Sequence, residues 1–312
     1  MYVIIMLQFT CKGVKGLEYV ITAADEGKML RELLRKDLSL SSGLMRRLKT
    51  IPAGITLDGQ PVTVRATVRA GQVLRLKSED RVSSPNIEPA EGELDIVYED
   101  GDLIIINKPF GMPVHPSPGH GRDTVANIMA YRAGQKGEAL VFRAVNRLDS
   151  GTGGLMCVAK NARAGALLST QMGEKSIRRV YEAVVCGEVK EDSGTVDLPI
   201  GLKPGSGIKR CVREDGESAV THYRVLERAN GLSRVELELE TGRTHQIRVH
   251  FAHLGHPVWG DFMYGVEQKM RGWALFSKSL TLRHPTTNEE MVFEVPTPEF
   301  YEEIMARKAS NE

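Results

Sequence analysis

"RAVNRLDSGTGGLMCVAKN" (residues 143–161) sets one carboxylate, Asp149, between an Arg-Leu pair and a glycine-rich turn, then runs straight into apolar residues. "GLMCVAK" reads as a strand, and "NARAGALLSTQM" as a helix opened by Asn161. An acid at the mouth of a strand, two residues after Arg147, is a turn device, a salt bridge or a reactive group. Its surroundings in the chain have to decide.

Upstream, "LDIVYEDGDLIIINKP" predicts two strands around a turn at Asp100-Gly101, and "RDTVANIMAYR" a short helix capped by Asp123 or Thr124. Downstream, "RVYEAVVCGEV" predicts a strand. In "SRVELELETG", Val235, Leu237 and Leu239 alternate with glutamates, so one face is buried and the other wet. Strands and helices mix without sustained βαβ alternation. The fold class is therefore α+β with a mostly antiparallel mixed sheet.

A second dense stretch is "ELETGRTHQIRVHFAHLGHPVWGD" (238–261). Thr244 reads as a helix N-cap, Ile247, Phe251 and Leu254 as its apolar stripe, and Gly255 as its end. Arg243 then sits at a strand–helix joint, while His245 and Arg248 lie off the stripe. Four histidines (245, 250, 253, 256) invite a metal. Yet there is no HExxH, and the gap of five from His245 to His250 splits them across the helix, so no metal site is expected. "DSGTGG" lacks the length and the Lys-Ser/Thr ending of a phosphate loop.

Net charge over 312 residues is +1, which by itself argues against a nucleic-acid partner. The distribution argues otherwise. Residues 1–83 carry 14 Lys/Arg against 8 Asp/Glu, and residues 84–100 carry 6 acids and no base. The Ser/Pro/Glu-rich "SSPNIEPAEGE" is the linker, which divides the chain into 1–83, a linker at 84–92, a main domain at 93–305 and a tail at 306–312. In the first part, "GKMLRELLRKDL" places Leu30, Leu33, Leu34 and Leu38 on one helical face. "SSGLMRRLKT" gives a second helix, capped by Ser41 or Ser42, that carries Arg46, Arg47 and Lys49. A hairpin at Asp58-Gly59 and a strand in "AGQVLRLK" complete it. The four scattered cysteines read as free thiols in a reducing cytoplasm. The apolar run "YVIIMLQF" is too short to span a bilayer, so neither a signal peptide nor a membrane partner is expected.

"NRLDSGTGGLMCVAKN" resembles the HRLDxxTSGLLLxAK motif of the RluA/RluD-type RNA pseudouridine synthases. "IVYEDGDLIIINKPFGMPVHPSPG", "RRVYEAVVCGEV", "TGRTHQIRVHFAHLGHPVWGDFMYG" and the tail "WALFSKSLTLRHPTTNEEMVFEVPTP" are similar to that family's other segments, in order, over roughly residues 93–300. The two basic helices and hairpin before them resemble the S4-type RNA-binding module. The resemblance implies a pseudouridine-synthase catalytic domain in which Asp149 is the essential aspartate and Tyr181 stacks on the target uracil. It also implies that Arg243 pairs with the aspartate, Arg147 enters the gap left by a flipped nucleotide, and Leu275 lines an apolar pocket. Two residues depart from the pattern: Asn146 stands where the family usually has His, and Gly153 where it has Ser.

The implied reaction breaks the N1–C1′ bond of uridine, turns the uracil and rejoins it through C5. No atoms are gained or lost, so no cofactor is expected. The target must leave its stack, at a cost of a few kcal/mol, which gives a wedge and a stacking ring their use. Asp149 would act as a nucleophile at sugar or base, or remove the C2′ proton. We expect a cytoplasmic monomer acting on RNA, large-subunit ribosomal RNA first and transfer RNA as the alternative. The contrasting reading is a non-catalytic RNA-binding or ribosome-assembly protein.

Overall fold

The computed structural model describes residues 16–306 apart from 39, 41, 78–83, 85 and 266–271. The expected positions 1–15, Ser41 and the tail beyond 306 lie outside the described residues. So does the side chain of Arg47.

The basic first part forms β1 (Gly16–Val20), a helical turn α1 (Leu30–Glu32) that passes into a π turn, α2 (Ser42–Thr50), β2 (Ile55–Leu57), β3 (Gln60–Pro61) and β4 (Val73–Lys77). The strands make a separate antiparallel sheet in the order β1-β4-β2-β3. Asp58 and Gly59, both at positive φ (49° and 80°), turn the β2–β3 hairpin as their sequence predicts. Leu30, Leu33 and Leu34 are fully buried beneath this sheet with Met45, Leu48 and Leu74. Arg46 and Lys49 of α2 stay exposed.

The remaining elements are β5 (Asp95–Glu99), β6 (Leu103–Lys108), α3 (Val125–Gln135), β7 (Gly153–Ala159), α4 (Ala162–Gly173), β8 (Arg178–Cys186), β9 (Ser193–Asp197), β10 (Ile200–Leu202), β11 (Arg210–Val212), β12 (Val220–Ala229), β13 (Leu232–Leu239), α5 (Gln246–His253), β14 (Leu275–Arg283), β15 (Glu290–Glu294) and α6 (Phe300–Ala306). Nine strands join in one sheet, β5-β6-β7-β14-β8-β13-β12-β9, with β15 extending along β14. Only the β7–β14 pair is parallel among the described strands, so the sheet is mixed and mostly antiparallel.

Alternation along the central strands divides the core in two. On one face, Ile104, Ile106, Met156, Val158, Tyr181 and Ala183 pack with Val125 and Met129 of α3 and Ile247 and Phe251 of α5. On the other, Leu103, Ile105, Leu155, Cys157 and Val184 pack with Leu168 of α4 and Tyr301 and Ile304 of α6. With helices on both faces, β7 is buried at every residue, and that is why its sequence is apolar without a break. Among the described residues no helix is long and apolar enough to cross a membrane.

Candidate active site

Asp149 lies on the loop that leads into β7. Asn146 anchors that loop: its Oδ1 accepts from Cys157 N at 2.8 Å, and its Nδ2 donates to Leu155 O at 3.3 Å. The residue that departs from the motif thus fastens the Asp149 loop to β7. The glycines after it are tightly used. A Cβ on Gly151 would lie 2.6 Å from the Trp273 ring, and one on Gly153 2.6 Å from the Phe110 ring. Gly154 sits at φ 100°, where side chains are strained. The "SGTGG" turn is therefore packed rather than loose.

Asp149 looks into a cleft of about 520 Å³ that Arg147, Tyr181, Arg243 and Leu275 also line, within the usual size range for a ligand site. Tyr181 lies on β8 and is 5 % exposed. Leu275 opens β14 opposite Ala183, so it stands diagonally beside Tyr181 on the same face. Arg147 is exposed at the loop, and no described residue accepts a hydrogen bond from it. Burial pushes the Tyr181 phenol above its ordinary value, so the ring enters the site neutral.

The arginine that pairs with Asp149 is Arg248, not Arg243. Arg248 Nη1 donates to Asp149 Oδ2 at 2.9 Å, while its Nε and Nη2 hold Asp261 at 2.6 and 2.9 Å. Its guanidinium lies 3.6 Å from the Trp273 ring centroid and 5.0 Å from that of Tyr264. Arg243 instead turns to the rim. It donates to Ser218 O at 3.0 Å and to Glu217 Oε1 at 3.0 Å. The reason is the helix start. The chain enters α5 through His245 in the left-handed region (φ 61°), not through a Thr244 cap. The buried Gln246 side chain takes the capping role by accepting from Arg243 N at 2.9 Å. This entry rotates Arg248 inward and leaves Arg243 outside.

The histidines go separate ways. His245 Nδ1 meets Tyr264 Oη at 2.8 Å and its Nε2 stands 3.9 Å from Asp149; burial holds its imidazole below the ordinary value, partly offset by that carboxylate. His250 meets Thr221 Oγ1 at 2.9 Å and Leu198 O at 2.9 Å, and His256 meets Cys186 O at 2.9 Å. Among the described residues no three His, Cys, Asp or Glu side chains gather as metal ligands.

These observations can be set beside known proteins. The model described as RNA pseudouridylate synthase matches residues 102–253. A Bacillus subtilis (strain 168) protein described as "Uncharacterized RNA pseudouridine synthase YhcT" is 37% identical over 91% of this chain and 94% of its own. The chain belongs to the RNA pseudouridylate synthase family. "Ribosomal large subunit pseudouridine synthase D" of Pseudomonas aeruginosa is 38% identical over 78% of this chain and 81% of its own. The solved "Human RNA Pseudouridylate Synthase Domain Containing 1" superimposes with TM-score 0.57 at 29% identity, covering 68% of this chain and 87% of its own. As a pseudouridine synthase of the RluA/RluD type, the protein is an RNA isomerase.

In this pseudouridine synthase, Lys108 was missed by sequence reasoning. It closes the apolar run "LIIINK" and is 1 % exposed. Its Nζ donates to Pro109 O, Met112 O and Ser150 O at 2.8, 2.7 and 3.1 Å, tying the Pro-rich loop to the residue after Asp149. Burial pulls its pKa down to about 7, while the Asp149 charge works in the opposite direction. A lysine inside an otherwise buried strand was the available signal.

Proposed function

We propose that this synthase isomerises uridine in large-subunit ribosomal RNA through Asp149, with Arg248 holding the carboxylate. One observation carries the reading. Asp149 lines the cleft and is fixed on Oδ2 by a buried guanidinium, while no described residue donates to its other oxygen, Oδ1. The pairing fixes the direction of the carboxylate, as a nucleophile or a C2′ base requires. In either route the N1–C1′ bond breaks, the C5–C1′ bond forms, and the proton on C5 is replaced by one on N1. Tyr181 offers a face for the flipped uracil, Leu275 closes the apolar side, and Arg147 is free to fill the vacated stack. The name of the Pseudomonas aeruginosa relative supports ribosomal RNA over transfer RNA.

Tritium release from 5-tritiated uridine tests this on ribosomal and transfer RNA fractions that lack the modification. Release from the large-subunit fraction is expected. Release from transfer RNA alone would move the substrate, and none from any fraction would favour a binding protein. Base stacking is tested at Tyr181. Tyr181→Phe should keep affinity and most of the rate, whereas Tyr181→Leu should cost about 1–3 kcal/mol of stacking. Equal, mild effects in single-turnover assays would remove stacking from the mechanism.

We further propose that residues 1–83 act as an S4-like module holding RNA phosphates. The exposed Arg46 and Lys49 on α2 support it. Exchanging both for Gln should lower the slope of log K against log salt by about 0.9 for each duplex phosphate no longer neutralised, or 0.7 for each single-strand phosphate. Superimposable lines for wild type and variant would leave these residues as solvated surface.

A further inference from the structure

Arg179 precedes Tyr181 by two residues on β8, so strand alternation sets both on one face about 7 Å apart. It is 6 % exposed and lines the same cleft as Asp149. Two other buried or half-buried arginines of this domain hold carboxylates: Arg248 has Asp149 and Asp261, and Arg234 has Glu182. Its neighbour Arg178 holds Glu238. Arg179 has none among the described residues.

Its donors are poorly used as well. Nη2 reaches Leu239 O and Thr241 O, each at a long 3.4 Å. Nε is buried without a partner, and no described residue accepts from Nη1. A Cβ on Gly242 would lie 2.8 Å from Nη1, so the guanidinium keeps its place beside a glycine and any side chain there would displace it. Guanidinium stays protonated, and burying it with open donors is costly unless an anion completes the site.

We propose that Arg179 binds the phosphate of a linkage adjoining the target uridine, setting the backbone so that the uracil reaches Tyr181 and C1′ reaches Asp149. This rests on the uridine-isomerase reading of the cleft. A phosphate fits better than a uracil carbonyl, because it brings full negative charge and several acceptor oxygens to a cation that lacks both.

The test uses the full-length protein and a short RNA carrying a uridine mapped by tritium release. The linkages on either side of it are replaced singly by uncharged methylphosphonate. Equilibrium binding and single-turnover tritium release are both measured. For wild type, one of the two replacements should weaken binding about tenfold. Arg179→Met should bind the natural RNA about tenfold more weakly and be indifferent to that replacement. Arg179→Lys should recover part of the sensitivity. Gly242→Ala, which pushes the side chain aside without removing it, should behave like Arg179→Met. Thermal melts of each variant check folding, and Arg179→Lys and Gly242→Ala carry the test if Arg179→Met does not fold. Equal sensitivity in wild type and variants at both linkages would overturn the assignment. So would a loss of binding in Arg179→Met with no sensitivity in wild type, which fits a uracil contact or a structural role. Failure of the underlying reading shows differently, as turnover by Asp149→Asn.

Discussion

Asp149→Asn should turn over at less than about a thousandth of the wild-type rate while its RNA affinity stays within a few-fold. The amide is nearly isosteric but cannot attack carbon or take a proton as a carboxylate does. The fold should tolerate the change for a reason visible in the site. Arg248 is shared by two carboxylates and keeps both bonds to Asp261 when Asp149 becomes neutral. The melting temperature should therefore stay close to wild type, so a fall in turnover reports chemistry and not unfolding. Single-turnover tritium release with filter binding measures both quantities. Residual turnover well above a thousandth would show that another group does the chemistry.

Arg248→Met should be harmful in two separable ways. Asp261 is fully buried, and losing its guanidinium partner strands a charge, which typically costs about 3–5 kcal/mol. A melting temperature lower by on the order of 10 °C is expected for a chain of this size. Activity should fall beyond what the remaining folded fraction explains, because Asp149 loses its fixed direction. Adding Asp261→Asn should restore much of the stability and none of the rate. Arg243→Met is the contrast. Its partner Glu217 is 72% exposed, and surface pairs are worth about 0–1 kcal/mol, so the melt should not move. If Arg243→Met destabilised the protein and Arg248→Met did not, the assignment of the two arginines would be wrong.

Much of the architecture was legible along the chain because its signals are local. The Asp58-Gly59 and Asp100-Gly101 turns, the Thr124 and Asn161 caps and the alternation in "SRVELELETG" each involve residues within one turn or strand of one another. Such signals survive without knowledge of distant neighbours. The continuous helix suggested by Leu30, Leu33, Leu34 and Leu38 is instead an α turn passing into a π turn, although three of the four leucines are buried as their spacing required.

By itself, the sequence determined the strand–helix plan, the family, and which loop carries Asp149. The tertiary structure decided which charges meet. Asp149 and Arg248 are 99 residues apart, and only the packing of α5 beneath the sheet brings them together. A single amphipathic stripe predicts a wet side for α5. Yet Gln246–Phe251 are buried all round, because the helix packs against the sheet on one side and β11 on the other. Arg248 is driven inward by that enclosure and Arg243 is left at the rim. The same cause buries Lys108: a strand covered on both faces encloses a side chain whatever its type, and no local pattern records what will lie across from it.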